Sequence, residues 1–274
     1  MPFQLLRQPR YLLTLIIGSL SGALLAAMIF IPAFSEQVLG IASENAGYWM
    51  TPLALAAGMG AAMGGMFTDK RGPIFAVILS SIISAIGFLL FPLWIEVKWH
   101  FIVASIIGGF GMGIILGAPL NMLATEKLQS NKGSALATLS LTRTLGMTIA
   151  PTIYAGFIAR GYNEMPALFK NDFPKILQDN LAQVELSQAG ANELQQLTQQ
   201  MSSGAAANSD MSQLLTQIQD PTLKEVLTSS VQQVSTLAAQ NGYGGLFTSA
   251  VVIAVCILIV TLFLAPLRKK SLQA

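Results

Sequence analysis

The sequence has 274 residues, of which 53% are hydrophobic and only 10% are charged. Because a soluble domain usually carries about 25% charged residues, this composition excludes an ordinary soluble protein. The apolar residues are concentrated in 1–159 and 244–267, whereas 160–243 is polar and rich in glutamine. We therefore predict an all-α, polytopic membrane protein with one large polar insertion.

Six apolar runs are long enough to cross a bilayer, for which a helix needs about 20 residues. They are 11–33, 46–68, 73–95, 101–125, 133–159 and 244–267. These runs predict five transmembrane helices in residues 1–159 and a sixth helix, followed by a tail, in residues 244–274. The fifth run is unusual because it contains a charged residue, Arg143.

The lysines and arginines beside these runs predict the orientation. Nine of them flank the same ends of the predicted helices: Arg7, Arg10, Lys70, Arg71, Lys127, Lys132, Arg268, Lys269 and Lys270. The short loops on the other side, 34–45 and 96–100, contain only Lys98. Because cytoplasmic loops are rich in Lys and Arg, we predict an inner-membrane protein with both termini in the cytoplasm and residues 160–243 outside it. Trp94, Trp99 and Tyr243 are suited to the outer interface.

Small residues and prolines recur within the predicted helices. Glycines follow a four-residue spacing at Gly18 and Gly22, at Gly60 and Gly64, and at Gly109, Gly113 and Gly117. This spacing lets helix backbones approach closely, and it fits either ordinary helix packing or smooth faces that slide or line a cavity. Pro52, Pro119 and Pro151 are expected to interrupt or bend their helices.

Arg143 lies about 15 Å along its helix from Gly133, so its long side chain can extend towards the headgroups. It either pairs with carbonyls or a neighbouring helix, or lines a cavity and senses substrate or a proton. Both interpretations stay open at this point.

The polar insertion carries two amphipathic patterns, Leu177-Leu181-Val184 and a second that comprises Leu223, Val226, Leu227, Val234 and Leu237. Asp220 or Thr222 is positioned to cap the second pattern. Residues 202–210 are small and polar and predict the tip of the insertion. The patterns favour an extracytoplasmic helical hairpin, and glutamine-rich disorder is the alternative.

A short charged segment separates the second and third runs. Asp69, Lys70 and Arg71 are the only charged residues between Glu44 and Glu96. The expected structure is a tight loop between two membrane helices.

This segment resembles the loop signature of the major facilitator superfamily, Gly-x-x-x-Asp-Arg/Lys-x-Gly-Arg/Lys. Gly65, Asp69, Lys70 and Gly72 match, and Pro73 stands where a cation is usual. Other stretches are similar to the fourteen-helix drug:proton antiporter branch: Phe34-Ser-Glu-Gln37-Val-Leu-Gly40, Ala46-Gly47 with Pro52, Gly111-Met-Gly113 with Pro119-Leu120, and Leu141-Thr-Arg143-Thr-Leu-Gly146. The resemblance covers essentially the whole chain but only the C-terminal six-helix half of that family.

The resemblance implies an alternating-access carrier, in which two helix bundles rock around a central site. It further implies proton-coupled efflux of drugs or other small amphipathic molecules. Asp69 would then act as a cytoplasmic latch against the N-terminal end of a helix in the other bundle, with Lys70 and Arg71 as anchors. The expected partners are lipid, a small-molecule substrate, and an N-terminal six- to eight-helix half or a second copy of the chain.

Two other functions compete with that of a carrier. A non-transporting membrane scaffold that binds another protein through its outer domain would use the same glycine faces and hairpin. An enzyme is disfavoured, because the only histidine, His100, has no cysteine or carboxylate cluster at a spacing that suits catalysis or metal binding. We expect no cofactor, no metal site and no nucleic-acid partner.

Overall fold

The structure is a computed structural model. It describes residues 8–95, 97–126, 128, 131–182, 184, 186–202 and 218–273, with side chains described outside 197–202 and 267–273. Several predicted features lie outside these limits: Arg7, Glu96, Lys127, most of the predicted tip, and the side chains of Arg268, Lys269 and Lys270.

The part of the chain that the structure describes is helical with no strand, which confirms the all-α prediction. In chain order the helices are α1 (Pro9–Ala27), a 3₁₀ turn (Met28–Phe30), α2 (Ile31–Gln37), α3 (Ser43–Trp49), α4 (Thr51–Arg71), α5 (Pro73–Trp94), α6 (Lys98–Leu116), α7 (Ala118–Thr125), α8 (Lys132–Asn163), α9 (Met165–Asn171), α10 (Phe173–Leu181), α11 (Gln188–Ser202) and α12 (Pro221–Gln273).

Among the described residues, five helical stretches are long and apolar enough to cross a membrane. They are Pro9–Gln37, Ser43–Arg71, Pro73–Trp94, Lys98–Thr125 and Pro221–Pro266, and they contain five of the six predicted runs. The remaining run, 133–159, lies within α8, a continuous helix of 32 residues. It is more polar than the others because it holds Arg143 and a series of serines and threonines. A multi-pass helical membrane protein is therefore confirmed, while membrane crossing by α8 stays a prediction.

The chain divides into two compact units, one of Met1–Ala159 with Gln240–Ala274 and one of Arg160–Ala239. In the second unit, a core of Phe173, Ile218, Leu223, Leu227 and Val234 joins its helices. Because these apolar side chains leave water together, the described part of the polar insertion is a folded helical unit. The side of the membrane on which it lies stays a prediction.

The last helix begins earlier than the sequence indicates. The apolar run starts at residue 244, but α12 is a continuous helix of 53 residues from Pro221. Gly242 and Gly245 lie within this continuous helix, and a Cβ added at either position would lie 2.9 Å from atoms of Ile158 or Phe157 in α8. These two glycines therefore permit close packing of two helices.

Glycines also bring α6 close to α4. A Cβ added at Gly109, Gly113 or Gly117 would lie 2.5, 2.1 or 2.8 Å from the carbonyl oxygen of Leu53, Ala57 or Ala61, respectively. The opposite side of α6 meets α5, where a Cβ on Gly87 would lie 2.4 Å from the backbone of Gly108. The predicted glycine spacing thus coincides with helix contacts in which the backbones nearly touch.

The three singled-out prolines differ in what they do. Pro52 and Pro119 follow breaks at Met50 and Gly117, and each lies in the first turn of the helix that starts there. Pro151 does not interrupt its helix, because α8 continues from Lys132 to Asn163. An interior proline is tolerated in a membrane helix when neighbouring groups satisfy the backbone carbonyl that it frees.

An aromatic cluster closes one end of the first unit. The ring of Phe34 lies 5.4–6.2 Å from those of Phe91, Phe101, Tyr243 and Phe247. Tyr243, which is predicted to suit the outer interface, is only 1% exposed, and its hydroxyl is 3.1 Å from Oε1 of Gln37. Its depth in the membrane stays a prediction. An aromatic ring with a polar tip can serve a buried hydrogen bond as well as an interface.

Candidate functional site

The latch segment, defined as Gly65, Asp69, Lys70, Arg71 and Gly72, is helical almost to its end. The three charged residues lie in the last turn of α4 instead of in a loop, and only Gly72 separates α4 from α5. Two local effects explain this correction. Cations stabilise the C-terminal end of a helix, and a glycine that follows with a φ of 89° ends it.

The turn is held firmly against the neighbouring helices. The buried hydroxyl of Thr68 donates to the carbonyl of Gly64 at 2.6 Å, and a Cβ on Gly64 would lie 2.5 Å from the carbonyl oxygen of Ile114. The guanidinium carbon of Arg71 lies 4.9 Å from the ring centroid of Phe75, a cation–π contact that joins α4 to α5. The position of the charged turn is therefore set by contacts within the bundle.

Asp69 itself is exposed at the end of this rigid support. Among the described residues it has no hydrogen-bond or ion-pair partner. Gly65, one turn earlier, also faces open space, because an added Cβ would meet nothing within 4 Å. The Asp69 carboxylate is thus presented outward and remains available to a group outside the described chain.

The helix that carries Asp69 has a large unpacked face. Of the most apolar 18 residues in Ser43–Arg71, only 22% are buried, compared with 56% of the corresponding residues in Pro9–Gln37. Leu55 and Met59 are 64% and 59% exposed, and Gly58 lies beside them with open space around its Cβ position. This face of α4 is therefore apolar, includes a small residue, and ends at the latch carboxylate.

An ion pair that the sequence analysis missed joins Arg10 at the start of α1 to Glu126 at the end of α7. Nearby, the hydroxyl of Tyr11 donates to the carbonyl of Ala135 in α8 at 3.1 Å. These contacts bring the predicted cytoplasmic ends of three helices together. The orientation was predicted from Lys and Arg alone, which overlooks acidic residues. The sequence signal for this pair is Glu126, a carboxylate directly after an apolar run.

Arg143 lies half-buried in α8 where this helix touches α1. A Cβ on Gly22 would lie 1.9 Å from the carbonyl oxygen of Arg143, so the two backbones are in contact there. The side-chain Nε and Nη2 atoms are buried and have no hydrogen-bond partner among the described residues. Pairing with carbonyls of this bundle, one of the two interpretations, is therefore not seen for these atoms.

The structure thus does not gather the predicted site residues into one pocket. The latch segment lies at one end of α4, and Arg143 and Pro151 lie within α8. The remaining singled-out glycines and prolines lie at helix contacts or helix starts. Within the described ranges, no three His, Cys, Asp or Glu side chains lie close enough together to hold a metal ion.

Comparison with known proteins identifies the family. The model of the Major Facilitator Superfamily matches residues 1–151. An uncharacterized MFS-type transporter, YfiU of Bacillus subtilis, is 45% identical over 257 residues, which are 93% of this chain and 46% of that protein.

Two more distant relatives match about half of the chain. Multidrug resistance protein 3 of Bacillus subtilis is 30% identical over 48% of this chain and 26% of its own length. A triacylglyceride transporter of Mycolicibacterium hassiacum is 26% identical over 51% of this chain and 28% of its own length. The chain thus spans less than half the length of these relatives. It belongs to the major facilitator superfamily, whose members are transporters and not enzymes.

Proposed function

We propose that this chain forms one helix bundle of an efflux carrier that exports small amphipathic molecules by alternating access. The observation that carries the proposal is the outward-facing Asp69 at the end of the unpacked face of α4, which has no partner in the part of the chain that the structure describes. The names of two relatives, a multidrug resistance protein and a triacylglyceride transporter, support an apolar or amphipathic cargo.

In this mechanism Asp69 stabilises one of two arrangements of the carrier. The carboxylate accepts hydrogen bonds at the N-terminal end of a helix in a second bundle when the cytoplasmic side is closed. Such a contact contributes about 0.3–1 kcal/mol, and up to ~2 kcal/mol when partly buried. Two kcal/mol corresponds to roughly a thirtyfold shift between two states, which is enough to bias the carrier without locking it.

Proton coupling would depend on the second bundle. None of the six apolar runs of this chain contains Asp or Glu. An intramembrane carboxylate is the usual proton carrier in such transporters. We therefore assign the protonated carboxylate to an N-terminal six- to eight-helix half. A second copy of this chain would lack such a carboxylate in its apolar runs as well.

Cross-linking from the exposed face of α4 tests this assignment. Met59→Cys, in a Cys256→Ser background, is expected to cross-link in native membranes to a second membrane bundle. A cysteine in place of Phe263, which is 67% exposed on α12, serves as the control and should not cross-link to that bundle.

The same experiment separates the carrier from a membrane scaffold. Cross-linking of the α4 face to a second transporter half supports the carrier. The scaffold is favoured if Met59→Cys does not cross-link to any membrane bundle and the 160–239 unit cross-links to an exported soluble protein. That result would contradict the proposal.

A further inference from the structure

A lateral groove with a volume of about 740 Å³ opens in the first unit between α1, α8 and α12. It is separate from the latch segment and from the unpacked face of α4. Its lining comes from residues 19–23, 146–157 and 245–253, all of which lie in predicted membrane runs. The groove therefore lies within the predicted membrane-spanning part of this unit.

The chemistry of the lining favours an apolar occupant. No charged side chain lines the groove. The hydroxyl of Tyr154 donates to the carbonyl of Ala23 at 2.8 Å, and that of Ser249 donates to the carbonyl of Leu246 at 2.6 Å. The hydroxyls of Ser19 and Thr248 also line the groove, and the rest of the lining is apolar. A polar ligand would therefore lose its hydration in the groove and find few partners to replace it.

The length of the groove matches the hydrocarbon thickness of one leaflet. Its contribution from α8 runs from Gly146 to Phe157, which is about 16 Å at the helical rise and roughly half of the hydrocarbon thickness. A single extended alkyl chain occupies such a space.

The rim distinguishes this groove from a surface that docks another helix. Ile149, Ile153 and Val252 are 60%, 55% and 56% exposed along it. These β-branched side chains are stiff and hold a facing helix away, whereas helices that pack in membranes meet through small residues. A flexible hydrocarbon chain can follow the irregular space that remains.

We propose that this groove binds an acyl chain of a bilayer phospholipid. The proposal is independent of the efflux function, because it rests on the cavity, its uncharged and mainly apolar lining and its position in the predicted membrane runs. The bound chain fills the space between three helices and packs α8 against α12 in a way that the side chains alone do not.

Photolabelling of the full chain tests the proposal. The chain is reconstituted in vesicles of phosphatidylethanolamine and phosphatidylglycerol, to which a phospholipid with a diazirine on its acyl chain is added. Labels mapped by mass spectrometry are expected to be enriched at Ile149, Ile153 and Val252. Ser249→Trp and Thr248→Trp, which each fill the groove, should lower this labelling roughly tenfold, the factor that corresponds to excluding about two methylenes.

Ile259→Trp is the matched control, since Ile259 is 46% exposed on the same helix but outside the groove. This variant should leave groove labelling unchanged, and all variants are compared only if they elute as folded protein in size-exclusion chromatography. Even labelling of all exposed aliphatic residues would overturn the proposal. So would displacement of the label by an amphipathic dye, or cross-linking of the rim to another protein in native membranes.

Discussion

Arg143 is the residue at which stability and function most clearly conflict. Its Nε and Nη2 atoms are buried without a partner among the described residues, in a helix of the membrane unit. An unpaired cation at such a position is costly, about 2.5–3.5 kcal/mol on insertion scales. We therefore propose that Arg143 meets a partner outside this bundle.

Replacement of Arg143 by leucine separates these roles. We expect Arg143→Leu to raise the melting temperature of the purified chain, by roughly 2–4 °C for each kcal/mol recovered, because it removes the desolvated charge. Efflux by the complete carrier should fall, while Arg143→Lys should retain part of it. A lower melting temperature for Arg143→Leu would show that the guanidinium stabilises this bundle and would contradict the functional role.

At the scale of helices, contacts between α1 and α8 depend on two glycines that face each other's backbone. A Cβ on Gly146 would lie 1.9 Å from the carbonyl oxygen of Ser19, and Gly22 meets the backbone of Arg143 in the same way. By contrast, Gly156 in the same helix faces open space. The two kinds of glycine in α8 therefore provide a matched comparison.

We expect Gly146→Ala to destabilise the chain by about 1–3 kcal/mol, because the helices must separate to admit the methyl group. Gly156→Ala should be neutral or stabilising by up to about 1 kcal/mol, since alanine favours the helix. Thermal unfolding in detergent measures both. Equal effects at the two positions would mean that α1 and α8 do not pack through Gly146.

In the 160–239 unit, Asp220 caps the start of α12. Its carboxylate accepts a hydrogen bond from Ser187 and another from the backbone N–H of Leu223 at 2.9 Å. These bonds, that of Ser187 first, lower the pKa of Asp220 below its ordinary value of 3.8. Because the pKa is lowered on folding, the stabilisation is present above pH 3.8 and is lost as the pH falls through the lowered value.

Amide exchange at residues 222–226, corrected for intrinsic rates, should accelerate once the pH falls through that lowered value. Asp220→Asn retains a capping oxygen without a titrating group, so its exchange should lack this acid-dependent step. An identical pH dependence in both proteins would show that another group controls the start of α12.

The starts and ends of the helices show how far sequence patterns reach. The apolar runs at 73–95 and 101–125 nearly coincide with Pro73–Trp94 and Lys98–Thr125, because membrane length and hydropathy are local properties. The continuity of α12 through Gly242 and Gly245 was not predictable in this way. Whether a glycine breaks a helix or admits a neighbour depends on α8, which is distant in sequence.

The site residues also divide into those that a local pattern reveals and those that depend on distant parts of the chain. Asp69, Lys70 and Gly72 were found from a local motif, although the motif did not reveal that the charges belong to the last helical turn. The ion pair of Arg10 with Glu126 and the burial of Tyr243 depend on residues more than 100 positions apart. A local pattern can mark one member of such a contact, as the position of Glu126 does, but the partner is visible only in the folded chain.

At the scale of the whole molecule, the orientation of the bundle is the first property to test. In a Cys256→Ser background, Thr228→Cys should react with a membrane-impermeant maleimide added to intact cells. Lys132→Cys, at the start of α8, should react only after permeabilisation. The reverse pattern would place the latch segment outside the cytoplasm and would remove its proposed role.

The central claim is that Asp69 controls a carrier assembled from this bundle and a second one. Its most direct test is efflux of a fluorescent amphipathic dye from cells that lack their own pumps and express the complete carrier. Asp69→Asn should lower the initial rate about tenfold, since losing the charge removes most of the contact with the helix end, while membrane insertion stays unchanged. Glu44→Gln, another exposed carboxylate outside the latch segment, should stay within about twofold of the parent because it makes no such contact. Normal efflux by Asp69→Asn at equal membrane abundance would contradict the account.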